Sequence, residues 1–299
     1  MTALNFISRL LKAPPPALVF ELSEAGIAVA RPGRPPQVGF QPLEAEVISV
    51  SPLRDNILRQ DELAACVRTL AGTRETRKRH EAAVILPDAS VRVLVLDFDT
   101  FPSDPEEQQP LVRFRIKKGL PFDLDSAALS YAPQAAGSGK RVDVVVAVAP
   151  LEILARYEAP FRASGLRPGL LTTSTLAALE LMRDGAVSLL VKLSGRCLTI
   201  SVLERGVLKL LRAIELAEAS SAEVIAPLHP TFAYVEDQLS ARPQRVDLCG
   251  FGTSTEALCQ QLEREFEVTA EPVRSRLGAP EAHNAGLLGY LESLEESRP

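Results

Sequence analysis

Three observations predict an α/β fold of two lobes built to one plan. The segments "LVFELSEAGIAVAR" (18–31) and "LLVKLSGRCLTISVLERGVLKL" (189–210) share a rhythm: an apolar strand, a charged residue at Glu21 or Lys192, Leu-Ser, a Gly-containing turn and a second apolar strand. Each copy is followed by alternating strand and helix patterns, the signature of an internal repeat. The chain has 299 residues, and at roughly 150 residues per domain it divides naturally into two units.

The elements follow in order. Leu4, Ile7 and Leu11 share one helical face, with Arg9 and Lys12 near its end and Pro14 to Pro16 as a stop, which predicts a short accessory helix. It is expected to dock on its own domain, with a membrane-surface or partner contact as the alternative. The opening residues lack the apolar core and cleavage site of a signal peptide. Three strands are expected between Ala17 and Glu44, a helix over Asp61 to Ala71, a basic loop "TRETRKRHE" (73–81) and a strand over Ala82 to Leu86. A second unit then reads as strand Val91 to Phe98, helix Asp104 to Gly119, strands near Leu129 and Val142, and a helix from Leu151. A fresh meander runs from Ala186 to Leu216, followed by a helical stretch broken at Pro227 and Pro230, the strand Arg245 to Cys249, the turn "GFGTST" (250–255) and two further helices.

Composition narrows the function. Hydrophobic residues make up 46% and charged residues 24%, and the net charge of -5 argues against a general nucleic-acid binder. Cys66, Cys197, Cys249 and Cys259 form no Cys-x-x-Cys pair and read as reduced core residues. No apolar run approaches the ~20 residues of a membrane helix. Asp97 and Asp99 share a strand face without a third ligand, and His80, His229 and His283 stand apart from any Cys or paired acid. No Walker-A, Gly-x-Ser-x-Gly or zinc-ligand spacing occurs.

The duplicated hairpins, "GFG" and the unit after "VILPDASVRV" (84–93) resemble the actin-like ATPase superfamily with its ribonuclease H-like fold, in its FtsA-like branch. Within that branch, "PLVRFRIKKGLPFDLDSAALSYAP" (110–133) and the stretch from Val142 to Leu181 are similar to PilM-type proteins of type IV pilus assembly. The resemblance implies a first lobe at 1–89 plus 166–185, an FtsA/PilM-type inserted subdomain at 90–165 and a second lobe at 186–299.

In the ATP-binding members each hairpin carries Asp-x-Gly. Here the matching places read Glu21-Leu22-Ser23 and Lys192-Leu193-Ser194, with Gly195 next in the second turn, and the adenosine-side Gly pair is split into Gly250-Phe251-Gly252. The two hairpins are expected to be plain turns. Phe251 is expected to fill the nucleotide space, and only "AEASSAEVIAPLHP" (217–230) stands where the family inserts a roof of several dozen residues. Glu21, Ser23, Lys192, Ser194, Gly195, Gly250 and Gly252 are therefore expected to be a vestigial site, without ATP or magnesium as a working cofactor.

What the resemblance implies is a pseudo-ATPase scaffold at the cytoplasmic face of a pilus or secretion platform. Its partners would be the cytoplasmic tail of a bitopic, PilN-like inner-membrane protein and other platform components. Arg113, Lys117, Pro121 and Phe122 are the expected tail-binding residues, while Leu111 and Phe114 are expected to pack their helix on its sheet. An active actin-like ATPase and an FtsA-like membrane-tethered cytoskeletal protein are the alternatives.

Overall fold

The computed structural model describes residues 16–72, 80–134, 141–183 and 185–296. The expected first helix and most of the basic loop lie outside them. The first lobe opens with β1 (Leu18–Ser23), β2 (Gly26–Arg31) and β3 (Gln37–Pro42), followed by α1 (Gln60–Ala71) and β4 (His80–Leu86). The insertion supplies β5 (Arg92–Phe98), α2 (Pro105–Ile116), β6 (Ala127–Pro133) and β7 (Val142–Pro150). The chain returns through α3 (Leu151–Ala163), β8 (Leu166–Thr173) and α4 (Ser174–Ala178). The second lobe holds β9 (Val187–Ser194), β10 (Cys197–Glu204), β11 (Val207–Glu215), α5 (Ser221–Ile225), α6 (Leu228–Leu239), β12 (Arg245–Cys249), α7 (Thr255–Phe266) and β13 (Thr269–Pro272), and α8 (Ala285–Glu296) closes the chain.

The two lobes repeat one topology. Their sheets run β3-β2-β1-β4-β8 and β11-β10-β9-β12-β13, each an antiparallel meander extended by two parallel strands. The central strands β1 and β9 are buried on both faces, as layered α/β sheets require. Alternation then sorts their side chains. Leu18, Phe20 and Leu22 face α1 and α3, whereas Glu21 projects from the other face beside Val19. Val187, Leu189, Val191 and Leu193 likewise face the second-lobe helices, leaving Lys192 on the face turned toward the first lobe.

Packing moves two of the expected domain boundaries. The inserted unit was expected to reach Gly165, but Ile153, Tyr157 and Phe161 of α3 join the first-lobe core with Phe20 and Leu63, and Phe161 meets Phe20 edge-on at 5.0 Å. The helix α8, expected in the second lobe, sets Leu287, Tyr290, Leu291 and Leu294 against Val19, Ala83 and Ile85 of the first. It crosses α4 backbone to backbone: a Cβ on Gly289 would meet the Ala177 carbonyl oxygen at 2.2 Å, and one on Gly286 would meet that of Ser174 at 2.8 Å.

The insertion is a three-stranded sheet, β5-β7-β6, with α2 laid on one face. Asp104 caps α2 by accepting the Glu106 N–H at 2.9 Å, and Pro105 occupies the first helical position. Val112 and Ile116 bury against Val144, Val146 and Val148. The opposite face, with Val93 and Val145, joins the core between the lobes. Only α5, five residues long, stands between β11 and α6, so the roof subdomain is cut down to a single helical turn and a half.

Candidate functional site

Glu21 and Lys192, expected from sequence to be residues of plain hairpin turns, lie within strands, in β1 and β9. Both are side chains of central strands that meet inside the molecule, 1% exposed each. The Lys192 ammonium donates to Asp88 Oδ2 at 3.1 Å. Asp88 sits in the short 3-10 turn after β4, so this ion pair ties the first lobe to the central strand of the second. The same carboxylate accepts the Thr175 N–H and the Thr175 hydroxyl, each at 2.7 Å, and the Thr199 hydroxyl at 3.3 Å. Glu21 accepts the Ser174 hydroxyl on one oxygen and the Leu287 N–H at 2.6 Å on the other. One polar cluster thus joins β1, the turn after β4, α4, β9, β10 and the start of α8.

Burial pushes the Glu21 carboxyl above its ordinary range, against the opposing pull of Lys192 and of the two hydrogen bonds. Burial alone would lower the Lys192 ammonium, but the carboxylates of Asp88 and Glu21 reverse this and hold it above its ordinary value. Lys192 is therefore a charged, internally neutralised group. The Cys249 thiol nearby is driven up to about 12 by burial, which makes it an inert core group.

The turns around this cluster are filled by the protein itself. The Ser23 hydroxyl donates to the Gly26 carbonyl at 2.9 Å and accepts the Gly26 N–H at 3.2 Å, closing its own hairpin. Gly195, at φ 57°, faces the other hairpin: a Cβ there would come within 2.9 Å of the Glu24 carboxylate. Ser194 ends β9 beside it. Gly250, at φ 86°, lies so close to β9 that a Cβ would meet the Leu193 carbonyl oxygen at 2.0 Å. Phe251 packs on the second-lobe core, and Gly252 borders open space. Sequence reasoning missed Asp88, Ser174, Thr175 and Thr199. The available signal was a run of polar residues, "TTST" (172–175), beside long apolar strands, where a buried polar group needs partners.

Other candidates have local partners. Asp97 pairs with Arg115 at 3.7 Å, and Asp99 with Arg141 at 3.1 Å. His229 meets Glu265 at 2.8 Å, and His283 packs against Phe40 with ring centres 4.1 Å apart and planes tilted by 44°. Among the described residues no His, Cys, Asp and Glu group is arranged to hold a metal ion.

The expected tail-binding residues fall on the insertion alone. Arg113, Lys117 and Phe122 line a groove of about 860 Å³ on the outer side of α2, with Pro121 exposed beside it. This groove does not lie where the insertion meets the first lobe. Because Val112 and Ile116 take the sheet-facing side of α2, that helix stands on the far face of the insertion, away from the boundary. The boundary has its own groove, of about 190 Å³, lined by Ala128, Leu129 and Ser130 of β6 and Leu171, Thr172 and Thr173 of β8. Both strands are sheet edges. The Thr172 hydroxyl there is buried without a hydrogen-bond partner.

No helix among the described residues is long and apolar enough to cross a membrane. No family model matches the sequence, and no curated protein matches it. Among solved structures, the chain is similar to one chain of a PilM-PilN type IV pilus biogenesis complex, with a TM-score of 0.74 and 20% identity, covering 96% of this chain and 100% of that one. It is also similar to a Bacteroides thetaiotaomicron protein with actin-like ATPase fold and unknown function, with a TM-score of 0.52 and 13% identity over 92% and 95% of the two chains. The doubled β3-β2-β1-β4-β8 topology, the bridging insertion and these likenesses identify the chain as a protein of the actin-like ATPase fold.

Proposed function

We propose that this chain is a pseudo-ATPase scaffold of a type IV pilus assembly platform, peripheral to the inner membrane, which holds the cytoplasmic tail of a bitopic, PilN-like protein. The observation that carries the first half of this reading is the Lys192–Asp88 pair. In an active member, this region must accept a magnesium ion and polyphosphate. Here it holds a fixed ammonium already neutralised by Asp88, with the Glu24 carboxylate set against Gly195 where it would oppose a phosphate. Gly195 and Gly250 are closed over by Glu24 and Leu193. The residues do not fit Mg-ATP, and no hydrolytic step is derived from them.

The second half rests on the boundary groove. An extended peptide laid between β6 and β8 finds unpaired backbone groups on both edges and apolar walls from Leu129 and Leu171. It would also reach the unpartnered Thr172 hydroxyl. Arg113, Lys117, Pro121 and Phe122 are outside this groove and are not needed for it.

The test begins with native inner membranes solubilised over the immobilised chain, which should release a bitopic protein with a short cytoplasmic tail. A labelled peptide of that tail, followed by fluorescence anisotropy, should lose at least about tenfold in affinity on Ser130→Trp, which obstructs the groove from an exposed position. It should be unaffected by Arg113→Glu with Lys117→Glu. The reverse pattern would return the site to the outer groove.

A further inference from the structure

The outer side of α2 carries a surface that the tail-binding reading leaves unused. Phe114 is 77% exposed there, although sequence patterning placed it against the sheet. Glu106, Pro110, Arg113 and Lys117 stand at i, i+4, i+7 and i+11, a single straight stripe along the helix, and all line the 860 Å³ groove with Phe114. Arg113 is paired to Asp125 within the chain. Glu106 and Lys117, at opposite ends of the stripe, have no ion-pair partner among the described residues.

A stripe that is acidic at one end and basic at the other, with Pro110 and an Arg113 already paired to Asp125 between them, is complementary to itself when reversed. We propose that a second copy of this chain docks here about a two-fold axis, with the two α2 helices antiparallel and each Glu106 facing the other copy's Lys117. Pairing residue 106 with residue 117 puts the axis midway, so Pro110 lies opposite the other copy's Arg113. The two Phe114 rings then fall on the same flank, about 8 Å apart along the helix direction at 1.5 Å per residue, near enough for large rings to cover one another. An isologous contact of this kind needs only one patch per chain, and that patch is present. Its area is that of one helix face with its bordering loop, so the dimer is a weak, concentration-dependent one.

Sedimentation velocity on the full chain across a concentration series tests this. The wild type should move reversibly from monomer to dimer, and Phe114→Glu should raise the dissociation constant by more than about tenfold. Glu106→Lys and Lys117→Glu should each be monomeric alone, since each sets like charges opposite one another. Mixed in equal amounts they should associate, because the mixed pair restores opposite charges at both ends. All these positions are solvent-facing or half-buried, and a wild-type circular dichroism spectrum for each variant confirms the fold. A wild type that stays monomeric throughout, a dimer indifferent to Phe114→Glu, or single charge variants that fail to recover on mixing would overturn the proposal. Because the tail groove involves none of these residues, tail affinity should be unchanged in every variant, which separates this failure from failure of the scaffold reading.

Discussion

Lys192 Nζ lies 3.1 Å from Asp88 Oδ2, with both side chains buried and 104 positions apart in sequence, and this contact joins the two lobes. A buried ion pair contributes little over a well-packed apolar pair, but it is costly to break from one side. Lys192→Met should therefore lower unfolding free energy by about 3–5 kcal/mol, because Asp88 is left as an uncompensated buried charge. The double change with Asp88→Asn should cost clearly less than the sum of the two single changes. Urea unfolding of the four proteins measures the coupling, and simple additivity would remove the pair from its role.

The crossing of α4 and α8 gives a second prediction. Gly289→Ala places a methyl 2.2 Å from the Ala177 carbonyl oxygen, which is backbone and cannot step aside, so the helices must part. A loss of about 2–4 kcal/mol is expected, in the range of overpacked or strained core sites. Gly119→Ala, with nothing within 4 Å, is the control and should be nearly neutral. Thermal melts of both decide it.

A third prediction concerns pH. Glu180 stands beside α8, and burial, reinforced by the charge of Glu296, lifts its carboxyl to about 8. A folded value above the unfolded one means that Glu180 favours the native state in its protonated form. That contribution is full below pH ~4.5 and is lost as pH rises through about 8. Glu180→Gln should therefore match the wild type near pH 4 and exceed it by about 4–5 kcal/mol at pH 9. A difference that is constant with pH would show that Glu180 titrates normally in the native state.

Much of this architecture can be read in the chain, and the unread parts share a cause. The two meanders and the insertion are legible because strand alternation and turn residues are local. The α3 and α8 assignments are not, since an amphipathic pattern states that a helix has a buried face but not which sheet receives it. That ambiguity put Ile153 in the insertion and Leu287 in the second lobe. The altered hairpin residues Glu21 and Lys192 are visible at once, whereas their partner Asp88 becomes evident only when the lobes close. Phe114 was placed inside because aromatic residues usually are, yet Val112 and Ile116 already define the sheet-facing side of α2.

Thr172 supplies a fourth prediction. Its buried hydroxyl lacks a partner in the boundary groove, so removing it should relieve an unmet hydrogen bond in the free chain. Thr172→Val should leave stability unchanged or raise it by up to about 1 kcal/mol, and should weaken tail binding by a similar amount. Loss of stability with tail affinity intact would mean that the hydroxyl serves the fold and not the groove.

The central claim is that the inter-lobe space belongs to the protein's own Lys192, Asp88 and Glu21 and not to a nucleotide. Isothermal titration calorimetry with Mg-ATP addresses it most directly. No saturable heat up to millimolar ligand is the predicted result, together with an unfolding midpoint unmoved by the same additions. Saturable binding at micromolar concentration, abolished by Ser194→Trp at the edge of the cluster, would contradict the account.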